Sequence, residues 1–433
     1  MMPRFAKIII FFVFLGIALP LRAEEDVGPE ILSWQDCVKE AAKNHPDLIS
    51  SQEAVKQSEA AKNITASTLL PQVDSSAGFT RTRTSTTSVG KTTKKTSNSF
   101  TYGVTGTQLL FDGGKTSNNV KAGVEDIKAA QYNYKFTSTE VRLRLRTAFI
   151  DMLKAQELLN LTQEIYNIRR GNLELITLRY QSGMEHRGAL LTAEANLAQS
   201  QFEIAQAHRT LEVAQRDLIK EMGRTQFSAL RVKGGFNVRE SSLERPDFET
   251  LAQNNPSLGK LLAQKNAASF GIKASEANFF PQLSASMGAN RTSSDWPPRN
   301  NQMNAGLTLS FPLLEGGLRA AEVEQAKAIF NQAEANERSS RDSVILALEQ
   351  TWAALLDAVE TQVVESKFLA AASERANIAE AQYSLGLVQF DNWTIIEDDL
   401  VNTKKAYLGA QANTLTAEAN WIQAKGETLE YAS

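Results

Sequence analysis

The sequence repeats itself. Asn44-His45-Pro46-Asp47-Leu48 returns as Asn254-Asn255-Pro256-Ser257-Leu258, and Leu70-Pro71-Gln72-Val73 returns as Phe280-Pro281-Gln282-Leu283, both 210 residues later. Phe111-Asp112-Gly113-Gly114 matches Leu314-Glu315-Gly316-Gly317 at an offset of 203, as do Tyr180-Gln181-Ser182-Gly183 with Tyr383-Ser384-Leu385-Gly386, and Met222-Gly223 with Lys425-Gly426. The offset changes once, by seven residues, between Pro71 and Gly113. One structural unit is therefore present twice, at 24–223 and 248–433, and a single loop differs in length. Residues 224–247, with Gly234-Gly235 and Pro246, read as a connector beside the two units.

Each unit changes period in the same order. Residues 34–68 carry a helical pattern that opens on Ser33, an N-cap residue type, and is kinked by Asn44-His45-Pro46. Past Pro71 the period becomes two. Val73, Ser75, Ala77 and Phe79 alternate with Asp74, Ser76, Gly78 and Thr80, and Phe100, Tyr102, Val104 and Gly106 alternate with Thr101, Gly103, Thr105 and Thr107. This predicts a hairpin over 73–111, with residues 83–98 as a polar loop, and a second hairpin over 283–312 with a shorter loop at 291–301. Strands of about ten residues have the length of a tilted membrane-spanning β-strand.

The period then returns to helical over 115–181 and 318–384. Sixty-seven residues make about 100 Å of helix. Val141, Leu145, Ala148, Met152, Ala155 and Leu159 step by four and three, and Val344, Leu348, Thr351, Leu355 and Ala358 repeat the seam. Gly183 and Gly386 break these helices, and return helices follow at 188–222 and 392–429. A return helix and a leading helix, each about 35 residues, stack end to end to match one long helix.

The ends and the composition narrow the class. Arg4 and Lys7 precede an apolar run, Ile8 to Leu19, and Ala23 is a suitable cleavage residue, so 1–23 reads as a secretory signal peptide. Without Arg4, Lys7 and Arg22 the formal charge falls from −3 to −6, which disfavours nucleic acid as a partner. The lone Cys37 allows no intrachain disulfide and reads as a buried helical thiol rather than a lipid anchor. His45, His186 and His208 lack metal-ligand spacing, Gly113-Gly114 reads as a strand-to-helix corner, and no serine sits in a nucleophile elbow. No catalysis and no cofactor are expected. Four strands per chain cannot close a barrel, and an open edge cannot face hydrocarbon, so several chains must pool their strands.

In duplicate and in order, Leu70-Pro71-Gln72, Phe280-Pro281-Gln282, Phe111-Asp112-Gly113-Gly114 and the Tyr-x-x-Gly tips at 180 and 383 resemble the TolC-like outer-membrane efflux protein family over about 34–429. The resemblance implies a mainly α fold with membrane β: duplicated coiled-coil helices forming an α-barrel tunnel, and four strands per chain pooled into a twelve-stranded barrel. It implies a homotrimer in the lipid of the outer membrane with a long periplasmic extension. The partners implied are a periplasmic adaptor (membrane fusion) protein and an inner-membrane pump. Tyr383 and Gly386 match the family's second tip, where a gate is expected. Asp391 is the acidic residue nearest to the family's pore-narrowing positions, at which this chain has Asn392 and Ile395. Tyr180, Gly183, Glu185, His186 and Arg187 form the first tip, placed to pair with the second tip or to meet the adaptor. Small-molecule efflux and type I protein secretion share this architecture, and a non-transporting coiled-coil scaffold of the envelope is the remaining rival.

Overall fold

The structure, a computed structural model, describes residues 30–236 and 245–431. The signal peptide expected at 1–23 and part of the connector lie outside them. In chain order the elements are β1 (Glu30–Leu32), α1 (Trp34–Asn44), α2 (Pro46–Ser67), β2 (Gln72–Ser88), β3 (Lys91–Phe111), α3 (Lys115–Gln181) and α4 (Arg187–Glu221). Then follow β4 (Leu230–Val232), α5 (Phe248–Gln253), α6 (Pro256–Ala277), β5 (Gln282–Ser293), β6 (Asn300–Ser310), α7 (Leu318–Ser384) and α8 (Phe390–Ala424).

Local chemistry explains the helix ends. Ser33 closes a reciprocal capping box with Asp36 at the start of α1. At the kink, His45 Nδ1 accepts from the Asp47 amide and Pro46 takes the first turn of α2, where its missing N–H costs nothing. Asn255 and Pro256 do the same for α6. α8 ends at Ala424, five residues before the expected end, because Gly426 adopts φ 80° and turns the chain. The residues after it, Leu429–Tyr431, form a 3₁₀ turn whose Leu429 amide donates to Ser138 Oγ of α3.

The long helices organise the rest. α3 packs on α2 and α6 near the sheet and on α4 and α8 towards the far end, and α7 packs on α6 and α8. The return helices stack on the leading ones. Gly223, just past α4, lies so close to the α1–α2 kink that a Cβ there would sit 2.5 Å from the Asn44 carbonyl oxygen. Gly426, just past α8, would meet Pro256 Cδ at the same distance. Asn255 Nδ2 donates to the Ala424 carbonyl across the second junction at 3.0 Å. At the first, His45 Nε2 lies 3.4 Å from Glu221 Oε2. Each junction thus joins the C-terminus of one helix to the N-terminus of the next, and satisfies groups a free helix end would leave to water.

The main core sits beside the first junction. Val141, Leu145, Ala148, Met152 and Ala155 of the α3 seam are buried against Leu218, Met222, Leu230 and Val232. Burying each large side chain there is worth about 2 kcal/mol. The second seam buries Leu348 and Leu355, while Val344 remains only partly buried. Cys37 is fully buried, and burial pushes its thiol up to about 12, so it is neither a thiolate nor accessible. Within the connector, β4 pairs in parallel with β1, and its Val232 backbone exchanges two hydrogen bonds with the Gln156 side chain of α3.

The four remaining strands form one antiparallel sheet, ordered β2-β3-β5-β6, with β2 and β6 as edges. Its register aligns the apolar positions of all four strands on one face, through pairs such as Phe79↔Phe100, Ala77↔Tyr102, Val104↔Ala289 and Ala285↔Leu307. The other face carries Gly78↔Thr101, Gly103↔Asn290 and Ser286↔Gly306. Residues 83–98 are a correction to the sequence reading. They are strand rather than loop: pairing continues to Ser88↔Lys91, and only Val89 and Gly90 turn the chain, both at positive φ. Threonine, β-branched and frequent here, suits a ladder even without apolar alternation, and a two-residue turn with both φ positive matches the strand twist. Among the described residues no helix is long and apolar enough to cross a membrane.

Candidate functional site

The two hairpin tips lie together at the end of the helices remote from the sheet. Both long helices stop in the same way. Gly183 and Gly386 take φ 77°, and the Met184 and Leu387 amides reach back to the carbonyls of Arg179 and Gln382 at 2.8 and 2.9 Å. These are Schellman closures, which require a left-handed residue. The return helix of the first tip is capped by His186, whose Nδ1 accepts from the Ala189 amide.

The duplicated tyrosines then diverge. Tyr180 is exposed, whereas Tyr383 is 1 % exposed. Tyr383 stacks on Trp393 with ring centroids 4.3 Å apart and 7° from parallel, and it also contacts Phe390. Its hydroxyl donates to Glu185 Oε2 at 2.8 Å, joining the second tip to the first. Arg179 lies over the same ring, 4.8 Å from its centroid, and donates to the Tyr383 carbonyl. Burial, then the bond to the Glu185 carboxylate, pushes the Tyr383 phenol far above its ordinary range, so it stays a donor.

Behind this cluster runs a charged seam. Arg169 of α3, itself buried, is ion-paired with Asp398 of α8. Arg375 of α7 meets Asp399 at 3.2 Å, and Lys404 of α8 meets Glu164 of α3 at 2.6 Å. Glu397 points between α3, α4 and α8, in a cavity of about 10 Å³ that Asn172, Asn196 and Trp393 also line. Burial raises its carboxyl above the ordinary value, against the opposing pull of Arg169.

The expected site residues separate accordingly. Tyr383 and Glu185 meet across the two tips, and Gly183 and Gly386 each close a long helix there. Tyr180, Arg187 and Asp391 are exposed, and Asp391 stands in the first turn of α8, where the helix dipole favours an anion. Arg179, Arg169, Trp393 and Glu397 escaped the sequence reading. A cation in the last turn of α3 and the Phe390–Trp393 step on α8 were the available signals. Among the described residues no cluster of His, Cys, Asp or Glu could hold a metal ion.

The fold, a helical hairpin repeated twice with a four-stranded sheet at one end, recurs in known proteins. The chain is 21% identical to the outer membrane efflux protein BepC of Brucella suis, over 90% of this chain and 81% of that one. It is 22% identical to the outer membrane protein TolC of Escherichia coli, over 85% and 77%. Its fold superposes on the open state of the MtrE outer membrane channel of Neisseria gonorrhoeae with a TM-score of 0.78, at 18% identity, covering 91% of this chain and 89% of that one. The outer membrane efflux protein family matches residues 37–224 and 248–427, nearly the whole of both repeats. With its β-sheet for the outer membrane and its helices for the periplasm, the chain is a transport protein rather than an enzyme, and it belongs to the outer membrane efflux protein family.

Proposed function

We propose that three copies of this chain form a passive exit duct, gated at the helical tips and fed by a periplasmic adaptor and an inner-membrane pump. The observation that carries the reading is the sheet. It is apolar on one face, polar and small on the other, and among the described residues unpaired along the outer sides of β2 and β6. In hydrocarbon those edges require partners, and three copies supply twelve strands, an even number wide enough for an open lumen. The helical layer supports the same closure. Its outer helices α4 and α7 expose Phe202 and Val213 on one side and Val363 and Phe368 on the other, for a neighbouring copy to cover.

The tip contacts are the gate in this reading. Tyr383–Glu185 and Arg169–Asp398 bind α7 and α8 to the first coil, and opening requires them to part. The test is conductance of the purified oligomer in a planar bilayer. A steady, small conductance that rises in Tyr383→Phe and Glu185→Gln supports the duct. A protein that forms no pore, with or without these changes, overturns it. Adjacent residues are Asp391, for an acidic constriction, and Gly183, Gly386, Tyr180 and Arg187, for the adaptor-facing turn.

In this reading the partner pump selects the cargo. Small-molecule efflux is favoured by relatives such as FusA of Burkholderia cepacia, a fusaric acid resistance protein by name, and type I protein secretion is the alternative use of the same duct. Co-purification with a proton-driven or an ATP-driven pump separates the two.

A further inference from the structure

The sheet's apolar face does not end at its aromatic rim. It continues into cations. Phe79 and Phe100 pack with ring centroids 4.7 Å apart and tilted by 37°, and Trp296, from the β5–β6 turn, packs 6.1 Å from Phe100 and 6.2 Å from Tyr102. Such aromatic clusters sit at the boundary between hydrocarbon and headgroups. Arg291 is paired with Tyr102 on that face and donates to its hydroxyl at 3.3 Å. Arg81 follows two residues beyond Phe79, about 7 Å along the strand, and Arg83 two beyond that. Lys94, opposite Ser85, continues the same face on β3.

This ladder stands on a ribbon that leaves the sheet. β5 pairs with β3 only as far as Phe100↔Ser293, but β2 and β3 stay paired to Ser88↔Lys91. The extension is about 30 Å at 3.3 Å per residue. Residues 80–99 hold five cations and no acid. The turn end of the second hairpin adds Arg291 and Arg299 against Asp295 alone. In a chain whose net charge is −3, this concentration of positive charge is local and one-sided. The four cations of the apolar face are exposed, and none is ion-paired with a carboxylate among the described residues.

We infer that Arg81, Arg83, Lys94 and Arg291 bind the phosphorylated lipid headgroups of the leaflet that surrounds the barrel's distal rim. The inference rests on the strands spanning a membrane. The occupant follows from position and charge: it must meet an apolar, aromatic surface with its tails and present several phosphates just above it. Guanidinium groups bind phosphate bidentately, and juxtamembrane cations bind anionic headgroups cumulatively. Lys91 and Lys95 lie on the opposite face of the ribbon and contribute only diffuse attraction.

The test uses the full chain reconstituted in phosphatidylcholine vesicles containing bisphosphorylated lipid A or its dephosphorylated form. Vesicle flotation reports insertion, and lipid A counted on the protein after detergent extraction reports binding. Wild type should retain at least about tenfold more of the bisphosphorylated form, since each cation near an anionic surface adds severalfold. R81Q/R83Q/K94Q/R291Q should float equally and lose that preference, while K91Q/K95Q keeps it. R81Q/R83Q alone should lose about threefold or more, and serves if the fourfold variant fails to insert. Equal retention of both lipids by floating wild type overturns the inference and leaves the barrel standing. So does equal preference in every floating variant, or complete competition by inorganic phosphate. Wild type that does not float overturns the membrane reading itself, and this inference with it.

Discussion

Tyr383 and Glu185 are 198 residues apart in the chain and 2.8 Å apart at the tip. The bond is buried on the tyrosine side and only slightly exposed on the glutamate side, whose side chain is 10 % accessible. Tyr383→Phe keeps the stack on Trp393 and removes only the donor. A hydrogen bond to a charged group is worth about 2 kcal/mol. The variant should lower the unfolding midpoint of the tip modestly and raise ion leak and susceptibility to large antibiotics in cells. Unchanged leak and susceptibility would remove this bond from the gate.

The glycines past the helix ends should respond in two grades. Gly386→Ala meets open space, so its cost is the left-handed backbone alone, about 1 kcal/mol. Gly223→Ala carries the same penalty and also drives a Cβ to within 2.5 Å of the Asn44 carbonyl oxygen, a group that cannot swing aside. Thermal unfolding should therefore show a clearly larger loss for Gly223→Ala. Equal losses would mean that the α4–α1 junction yields easily.

Glu397 gives a pH dependence of defined sign. Burial raises its folded pKa above the ordinary 4.5, so the folded chain binds its proton more tightly than the unfolded chain does. This group's contribution is therefore most favourable below the ordinary value, and stability falls as pH rises from there through the raised folded value. Glu397→Gln removes the titration and keeps the shape. Melting curves at mildly acidic and neutral pH should show the variant gaining on wild type as pH rises. A constant difference between them would exclude Glu397 as the source.

Arg224 clamps the start of the described chain. Its guanidinium reaches Glu40 Oε2 and Glu30 Oε2, each at 2.7 Å, and these bonds hold Glu30 below its ordinary carboxylate range. Arg224→Lys loses the planar fork that serves two carboxylates at once, so it should behave almost like Arg224→Met. Both should cost about 1 kcal/mol after allowance for solvent at Glu30, and protease should reach β1 sooner. Full rescue by lysine would show that charge alone suffices. Because the Glu30 pKa is depressed, the clamp's contribution is present above the ordinary carboxylate value and is lost as pH falls through the folded one.

Much of this protein is local in origin and so could be read from the chain. The repeat, the change of period at Pro71 and Pro281, the α3 seam and the end-to-end arithmetic each depend on residues within one window, and the helices follow them closely. The threonine-rich extension of the first hairpin escaped because its strands are solvated on both faces, which leaves no alternation to see. The partners at the tip escaped for another reason. Arg169–Asp398, Tyr383–Glu185 and the Tyr383–Trp393 stack depend on which faces α3, α7 and α8 present after about 100 Å of coiled coil. Local pattern thus set the long helices, the two hairpins and their order. That Tyr383 is buried while its duplicate Tyr180 is exposed arose only on packing, because burial follows the phase of the packed helices and two copies of one motif need not share it.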